Sequence, residues 1–223
     1  MPEDERRIRV TEDGPYQVYG PVPVVRVAQV ETDLGEPVDW TEPEPLQAGR
    51  RFALCRCGRS KTKPFCDDSH LEPGFDGTEV ADREPRATRA KTFVGDGVVM
   101  TDDRSICSHA GFCANRVTTV WEMISETSDP EIRERLEGMI SRCPSGALDR
   151  APSVTTDPVE PVFEPSIGVI RDGPLWIRGG VAIEGADGFA YEVRNRVTLC
   201  RCGQSSNKPF CDGTHLDIGF RDG

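Results

Sequence analysis

The chain has 223 residues, 27 basic against 38 acidic, for a formal net charge of −11, which excludes the clustered Lys and Arg surface that nucleic-acid binding needs. Hydrophobic residues make up 36% and aromatics 7%, with 22 Gly and 18 Pro, so the chain is rich in turns and short of core side chains, and a metal or disulfide staple is expected. No run approaches the roughly 18–20 apolar residues of a membrane span.

Taken in chain order, Gln17–Tyr19 and then Val22, Val24, Val25 and Val27 are β-branched or aromatic runs cut by Gly and Pro, which predicts short strands. The acidic, Pro-rich stretch Glu31–Pro45 reads as a solvated loop. Arg51–Leu54 predicts a strand leading into LCRCGRSKTKPFCDDSHLEPGF, residues Leu54–Phe75. A different unit follows at about Lys91–Arg150, with strand-like Thr92–Val94 and Val98–Met100 and a short helix around Thr118–Ile124. A longer helix is expected at about Pro130–Ile140. Asp129 suits its N-cap, Pro130 its first position, and Ile132, Leu136, Met139 and Ile140 keep helical spacing. Ala151–Pro165, with four prolines, reads as a linker, and Arg196–Leu199 as a strand into LCRCGQSSNKPFCDGTHLDIGF, residues Leu199–Phe220.

The two cysteine segments are copies: at a constant offset of 145 residues, 15 of 22 positions are identical. Upstream, Asp13–Gly20 resembles Asp172–Gly179 at an offset of 159, so the first copy carries a 14-residue insertion, assigned to about 31–45. The expected organisation is therefore a unit at 1–78, a middle unit at 90–150, a linker at 151–165 and a second copy at 166–223.

Nine cysteines, an odd number, fit complete disulfide pairing poorly. The start, Met1–Arg7, is too acidic for a signal peptide. A cytoplasmic setting is expected, where thiols stay reduced and bind metal. Each copy offers C-x-C, eight residues, C, three residues and H: Cys55, Cys57, Cys66 and His70, then Cys200, Cys202, Cys211 and His215. Two thiolates one residue apart can chelate from one turn of chain, and a Cys and a His four apart share a helix face. Asp67 and Asp212 can cap that short helix, and Pro64 and Pro209 stiffen the approach. A pair of zinc sites is one reading, since Cys3His is also a zinc set, although C-x-C is tighter than usual zinc spacing.

These residues closely resemble the CDGSH iron–sulfur domain of the mitoNEET-like family, whose motif runs C-x-C-x2-[S/T]-x3-P-x-C-D-G-[S/A/T]-H. Ser60 and Ser205 occupy the [S/T] position, and Cys211-Asp212-Gly213-Thr214-His215 keeps the motif's end, whereas Asp68 stands where the family has Gly. The resemblance implies a 2Fe-2S cluster in each copy, one iron carrying two thiolates and the other a thiolate and an imidazole. It also implies that the two copies form within one chain the β-cap that such proteins build as homodimers. The fold class expected is small, loop-rich α+β: two β-rich CDGSH units on an intrachain pseudo-twofold, Val22–Val27 pairing with Leu175–Ile177 across it, and an inserted ferredoxin-like unit. A monomer with an internal pseudo-dimer follows.

In the middle unit Cys107, Cys113 and Cys143 read C-S-H-A-G-F-C and, thirty positions on, C-P-S-G-A-L. This is the bacterial ferredoxin pattern lacking its central cysteine, and it resembles the divergent single-cluster ferredoxin domain over roughly Thr92–Arg150. Three thiolates suffice for a 3Fe-4S cluster, whereas 4Fe-4S needs a fourth ligand. Ala110 sits midway and cannot bind iron; His109 could ligate, or could donate a hydrogen bond to cluster sulfur.

No G-x-G-x-x-G turn after a strand, Walker loop or G-x-S-x-G elbow is present, Ser145 after Cys143-Pro144 reads as a loop serine, and no enzyme activity is expected. The expected function is electron carriage to a reductase or oxidase partner, with cluster transfer to an apo-acceptor or redox and pH sensing as the alternative. Neither nucleic acid nor membrane is an expected partner.

Overall fold

The computed structural model describes residues 6–72 and 74–222; Met1–Glu5, within the start read above as too acidic for a signal peptide, Pro73 and Gly223 lie outside the described residues. In chain order the strands are β1 (Arg7–Val10), β2 (Tyr16–Tyr19), β3 (Val24–Val27), β4 (Gln29–Glu31), β5 (Pro37–Trp40), β6 (Glu44–Leu46) and β7 (Arg51–Leu54). The middle segment supplies β8 (Lys91–Val94), β9 (Val99–Asp102), helices α1 (Val120–Met123) and α2 (Pro130–Ser141), and β10 (Leu148–Ala151). β11 (Ser166–Ile170), β12 (Leu175–Arg178), β13 (Ala182–Glu184), β14 (Arg196–Leu199) and α3 (Thr214–Asp217) complete the chain. Sheets and loops dominate, with few helices.

The two repeat-bearing segments exchange strands. One sheet runs β13-β1-β2-β7 and another β14-β12-β11-β3-β6, so each joins three strands of one copy to strands of the other, β13 in the first sheet and β3 with β6 in the second. The crossing pairs are both parallel, Ile8 opposite Ile183 in β1–β13 and Gly168 opposite Val25 in β11–β3. Val22–Val27 therefore does not pair with Leu175–Ile177 as expected: β11, a strand not foreseen, lies between β3 and β12. A parallel pair needs a long crossover, and the middle segment provides it.

One core serves both sheets, with Ile8, Tyr16, Val18 and Leu54 from the first copy packed with Ile167, Leu175, Ile177 and Leu199 from the second. Burial of each such side chain contributes about 1.5–3 kcal/mol. In β2 buried and half-buried residues alternate, whereas every residue of β11 and β14 is buried. An antiparallel strand with one wet face alternates; one covered on both faces does not. The cover on the second copy is the middle unit, whose three strands run in the order β10-β9-β8 and whose own core holds Met100, Val120, Leu136, Ile140 and Leu148. α2 begins as expected, Asp129 accepting the Glu131 N–H at 2.8 Å with Pro130 in the first turn. α1 falls within the short helix expected around Thr118–Ile124 and starts at a Thr119–Glu122 capping box.

The insertion differs from the solvated loop expected. β4 and β5 form a hairpin with a bulge, β6 adds to β3, and Trp40 packs against Phe112 of the middle unit and Trp176 of the second copy, each ring 4.9 Å away. Most of its residues are exposed, which is why its composition reads as loop, but one buried aromatic contact is enough to dock it. Further along, the expected linker has no regular structure past β10, yet Glu160 pairs with Arg196 at 2.6 Å and Phe163 packs edge-on against Trp176.

Candidate metal centres

Each copy builds its cysteine loop by the same backbone bonds. Cys55 N–H donates to Pro64 O at 2.8 Å and Cys66 N–H to Ala53 O at 2.9 Å; Cys200 to Pro209 and Cys211 to Thr198 repeat both distances. Ser60 and Ser205 brace the loops from within, their hydroxyls donating to Phe65 O at 2.6 Å and Phe210 O at 2.7 Å. The carboxylates of Asp67 and Asp212 reach the first turn of the short helix, accepting from Ser69 N–H at 3.1 Å and Thr214 N–H at 3.0 Å. Each also accepts from the opposite side of the loop, at Lys61 N–H and Ser206 N–H, both 2.8 Å. Burial works against ionisation of Asp212, but the bonds from Thr214 and Ser206 win and hold it down to about 2.

Between the ligand cysteines the side chain points the other way. Arg56 donates to Thr11 O and Gly77 O; Arg201 donates to Ile170 O and Gly173 O and pairs with Asp222. Both guanidinium groups are buried, so they fasten the C-x-C turn to the hairpin upstream. These roles were missed, although arginine at the same place in both copies was the signal for them.

All nine cysteines are free thiols. Cys55 Sγ lies 3.8 Å from Cys57 Sγ and Cys200 Sγ 3.7 Å from Cys202 Sγ. Cys66 Sγ is 3.5 Å from His70 Nδ1, and Cys211 Sγ 3.4 Å from His215 Nδ1. Metal–thiolate bonds of about 2.3 Å and metal–imidazole bonds of about 2.0–2.1 Å at tetrahedral angles require S···S near 3.8 Å and S···N near 3.5 Å. Each copy thus presents two grips of the right bite, one all-sulfur and one sulfur–imidazole. The grips stand apart: among the described residues, Cys66, Asp68 and His70 are the one group of three donor side chains closing within 4.8 Å.

Charge reinforces the fit. Hydrogen bonding from Cys57, ahead of burial, lowers Cys55 to about 6, with backbone N–H groups helping, and the partner Cys57 is pushed far up; Cys200 and Cys202 behave alike. A buried pair of thiols that gives up one proton and resists losing the second is a site whose full deprotonation needs a bound cation. Burial pushes Cys211 up as well, followed by the charges of Cys200 and Cys107.

The copies differ in exposure. Cys211 and His215 are buried, whereas Cys66 and His70 are half-buried and Asp68 is exposed. At the motif's glycine position Gly213 has φ 92° and Asp68 φ 67°, so a residue with a side chain holds the left-handed conformation there at the ordinary cost of that region.

In the middle unit Cys107, Cys113 and Cys143 line a cavity of 140 Å³ together with His109, Ala110 and Pro144. Among the described residues the three thiols do not close within 4.8 Å as a group. Burial, then the charges of Cys107 and Cys143, push Cys113 up to about 11. Arg104 Nη1 is 3.7 Å from Cys107 Sγ, and Ser145 Oγ 3.5 Å from Cys143 Sγ while it also accepts from Ala147 N–H, a loop role for that serine. Arg196 of β14 was not foreseen here. Its buried guanidinium donates to Cys143 O at 2.8 Å, Ile140 O at 3.0 Å and Asp149 Oδ1 at 2.9 Å, fixing the Cys143 turn to the second copy. Its counterpart Arg51 is exposed over Tyr19, so the repeat itself carried no hint.

Two family models match the chain. The model for iron-binding zinc fingers of CDGSH type matches residues 13–71 and 172–216. The divergent 4Fe-4S mono-cluster model matches residues 93–151. No curated protein and no solved structure matches.

Proposed function

The chain is an iron–sulfur protein in which two CDGSH-type segments flank a divergent 4Fe-4S mono-cluster segment, and from that premise we propose that it is a multi-cluster electron carrier. Cys55, Cys57, Cys66 and His70 would hold one 2Fe-2S cluster, and Cys200, Cys202, Cys211 and His215 a second. Cys107, Cys113 and Cys143 would hold a 3Fe-4S cluster, or a 4Fe-4S cluster if His109 or another group completes it. When bound, such clusters supply reversible one-electron chemistry, with potential raised where imidazole replaces thiolate.

The observation that carries this reading is the separation of each terminal set into two grips of metal-chelating bite. A single zinc would need all four donors around one point; two irons need two grips. The strand exchange between copies supports an internal pseudo-twofold, because β13 joins β1 as β3 joins β11. That arrangement needs no second chain. The chain's own residues orient the thiols, and the net charge of −11 suits steering toward a basic face on a reductase or oxidase. Among the described residues no helix is long and apolar enough to cross a membrane.

Anaerobic purification with iron and sulfide counts and EPR tests the reading. About seven irons per chain are expected with a 3Fe-4S centre and about eight with 4Fe-4S; a colourless preparation loaded with zinc would refute it. Delivery of the first cluster to an apo-acceptor is a second reading, favoured by the half-exposed Cys66 and His70. Rapid transfer to an apo-ferredoxin would favour delivery, and rapid electron exchange with a flavoprotein in stopped flow would favour carriage.

A further inference from the structure

The second terminal segment touches both of the other site-bearing segments. On one side the copies touch backbone to backbone. Cys57 and Cys202 form an antiparallel bridge, and a Cβ on Gly58 or Gly203 would stand 2.5 or 2.6 Å from the carbonyl oxygen of the opposite cysteine. On the other side the second copy touches the middle unit. A Cβ on Gly213 would stand 2.6 Å from His109 Cδ2 and 2.9 Å from its Cγ, so the imidazole occupies the space that a side chain at this position would need. His109 itself sits at φ 58° within the loop that carries Cys107 and Cys113. Asn207 Nδ2 donates to Ser105 O at 2.8 Å, and Arg196 holds Cys143 O at 2.8 Å, so three contacts surround the same wall.

The first copy lacks each of these. Where the second has Gly213, Asn207 and a buried Arg196, the first has the exposed Asp68, the exposed Thr62 and the exposed Arg51. Two of the seven positions at which the 22-residue repeats differ are therefore at the contact with the middle unit.

Resting on the iron–sulfur reading above, we propose that the His109–Gly213 contact is a positioning seam that couples the middle site electronically to the second terminal site and not to the first. Gly213 is required there by the approach of His109, beyond its usual part in relieving the local turn. The second site is then the hub of the three, and the half-exposed first site lies outside the seam.

The test is pulsed EPR on the anaerobically purified holoprotein, reading spin–lattice relaxation of the reduced second terminal signal with the middle site reduced and then oxidised, since reduction raises the spin of either candidate middle cluster. Faster relaxation in the first state is expected. Gly213→Asp gives the second copy the residue that the first already accommodates at positive φ. It should reduce that enhancement several-fold without changing the iron and sulfide count, while Asp68→Gly should leave it intact. His109→Ala provides an independent arm, expected to weaken the enhancement even where Gly213→Asp folds poorly. Equal relaxation in both states of the wild-type protein, or the same loss from Asp68→Gly as from Gly213→Asp, would overturn the seam. A preparation without iron and sulfide would instead overturn the reading beneath it.

Discussion

Replacing Arg196 by methionine should separate the stability of the middle site from that of the first terminal site. The guanidinium is 1% exposed and pairs with Asp149 at 2.9 Å and Glu160 at 2.6 Å, in addition to four carbonyl oxygens of the middle unit. Removing one partner of a buried pair costs about 3–5 kcal/mol because the other charge is stranded. Arg86, 3.3 Å from Asp149 Oδ2, remains and keeps the cost near the lower bound. With a urea slope of about 2 kcal/mol per molar, a loss of about 3 kcal/mol moves the midpoint down by about 1.5 M. The assay is anaerobic urea titration of the holoprotein, following the middle-site EPR signal and the first terminal signal separately. The cost should also depend on pH. Burial, then the Glu160 carboxyl, holds Asp149 up to about 6. Its charged form is thus disfavoured in the folded state, and stranding that charge weighs more as pH rises through about 6. The deficit of Arg196→Met should be larger at pH 7.5 than at pH 5. An unchanged midpoint, or equal loss from Arg51→Met at the exposed counterpart, would refute the reasoning.

On acidification the second terminal absorption should outlast the first: burial, then Arg201, lowers His215, so its imidazole stays neutral and able to ligate to a pH below the usual histidine range. Absorption spectra between pH 8 and 5.5 check this, and simultaneous bleaching or none at all would contradict it. Gly203→Ala should lower stability by at least about 1–2 kcal/mol, since the residue has φ 81° and its Cβ would meet Cys57 O; calorimetric melting of the holoprotein reads the loss. Tyr16→Phe should cost about 1–2 kcal/mol, because the phenol donates to Cys200 O at 2.8 Å and Pro209 O at 3.1 Å from the other copy. The shift should be seen in the second terminal signal ahead of the first.

The paired Cys–Cys and Cys–His grips were legible because their short spacings survive in the linear chain, and duplication displayed them twice. β7 and β14 were placed to the residue because each ends at a cysteine loop. What escaped depends on partners distant in sequence. β1, β11 and β13 are short runs, each paired with a strand of the other copy that no local pattern announces. Trp40 sits in a stretch of acids and prolines whose composition hides a docked hairpin. Arg51 and Arg196 are the same residue in the same repeat position, yet one is exposed over Tyr19 and the other is buried against the middle unit, a difference set by which strand that unit packs on.

The exchanged strands also set an order of events during synthesis. The first sheet cannot gain its outer strand until Ala182–Glu184 has left the ribosome, and Tyr16 finds its acceptors only after Cys200 and Pro209. Most of the polypeptide must therefore emerge before the first cysteine loop has its complete surroundings.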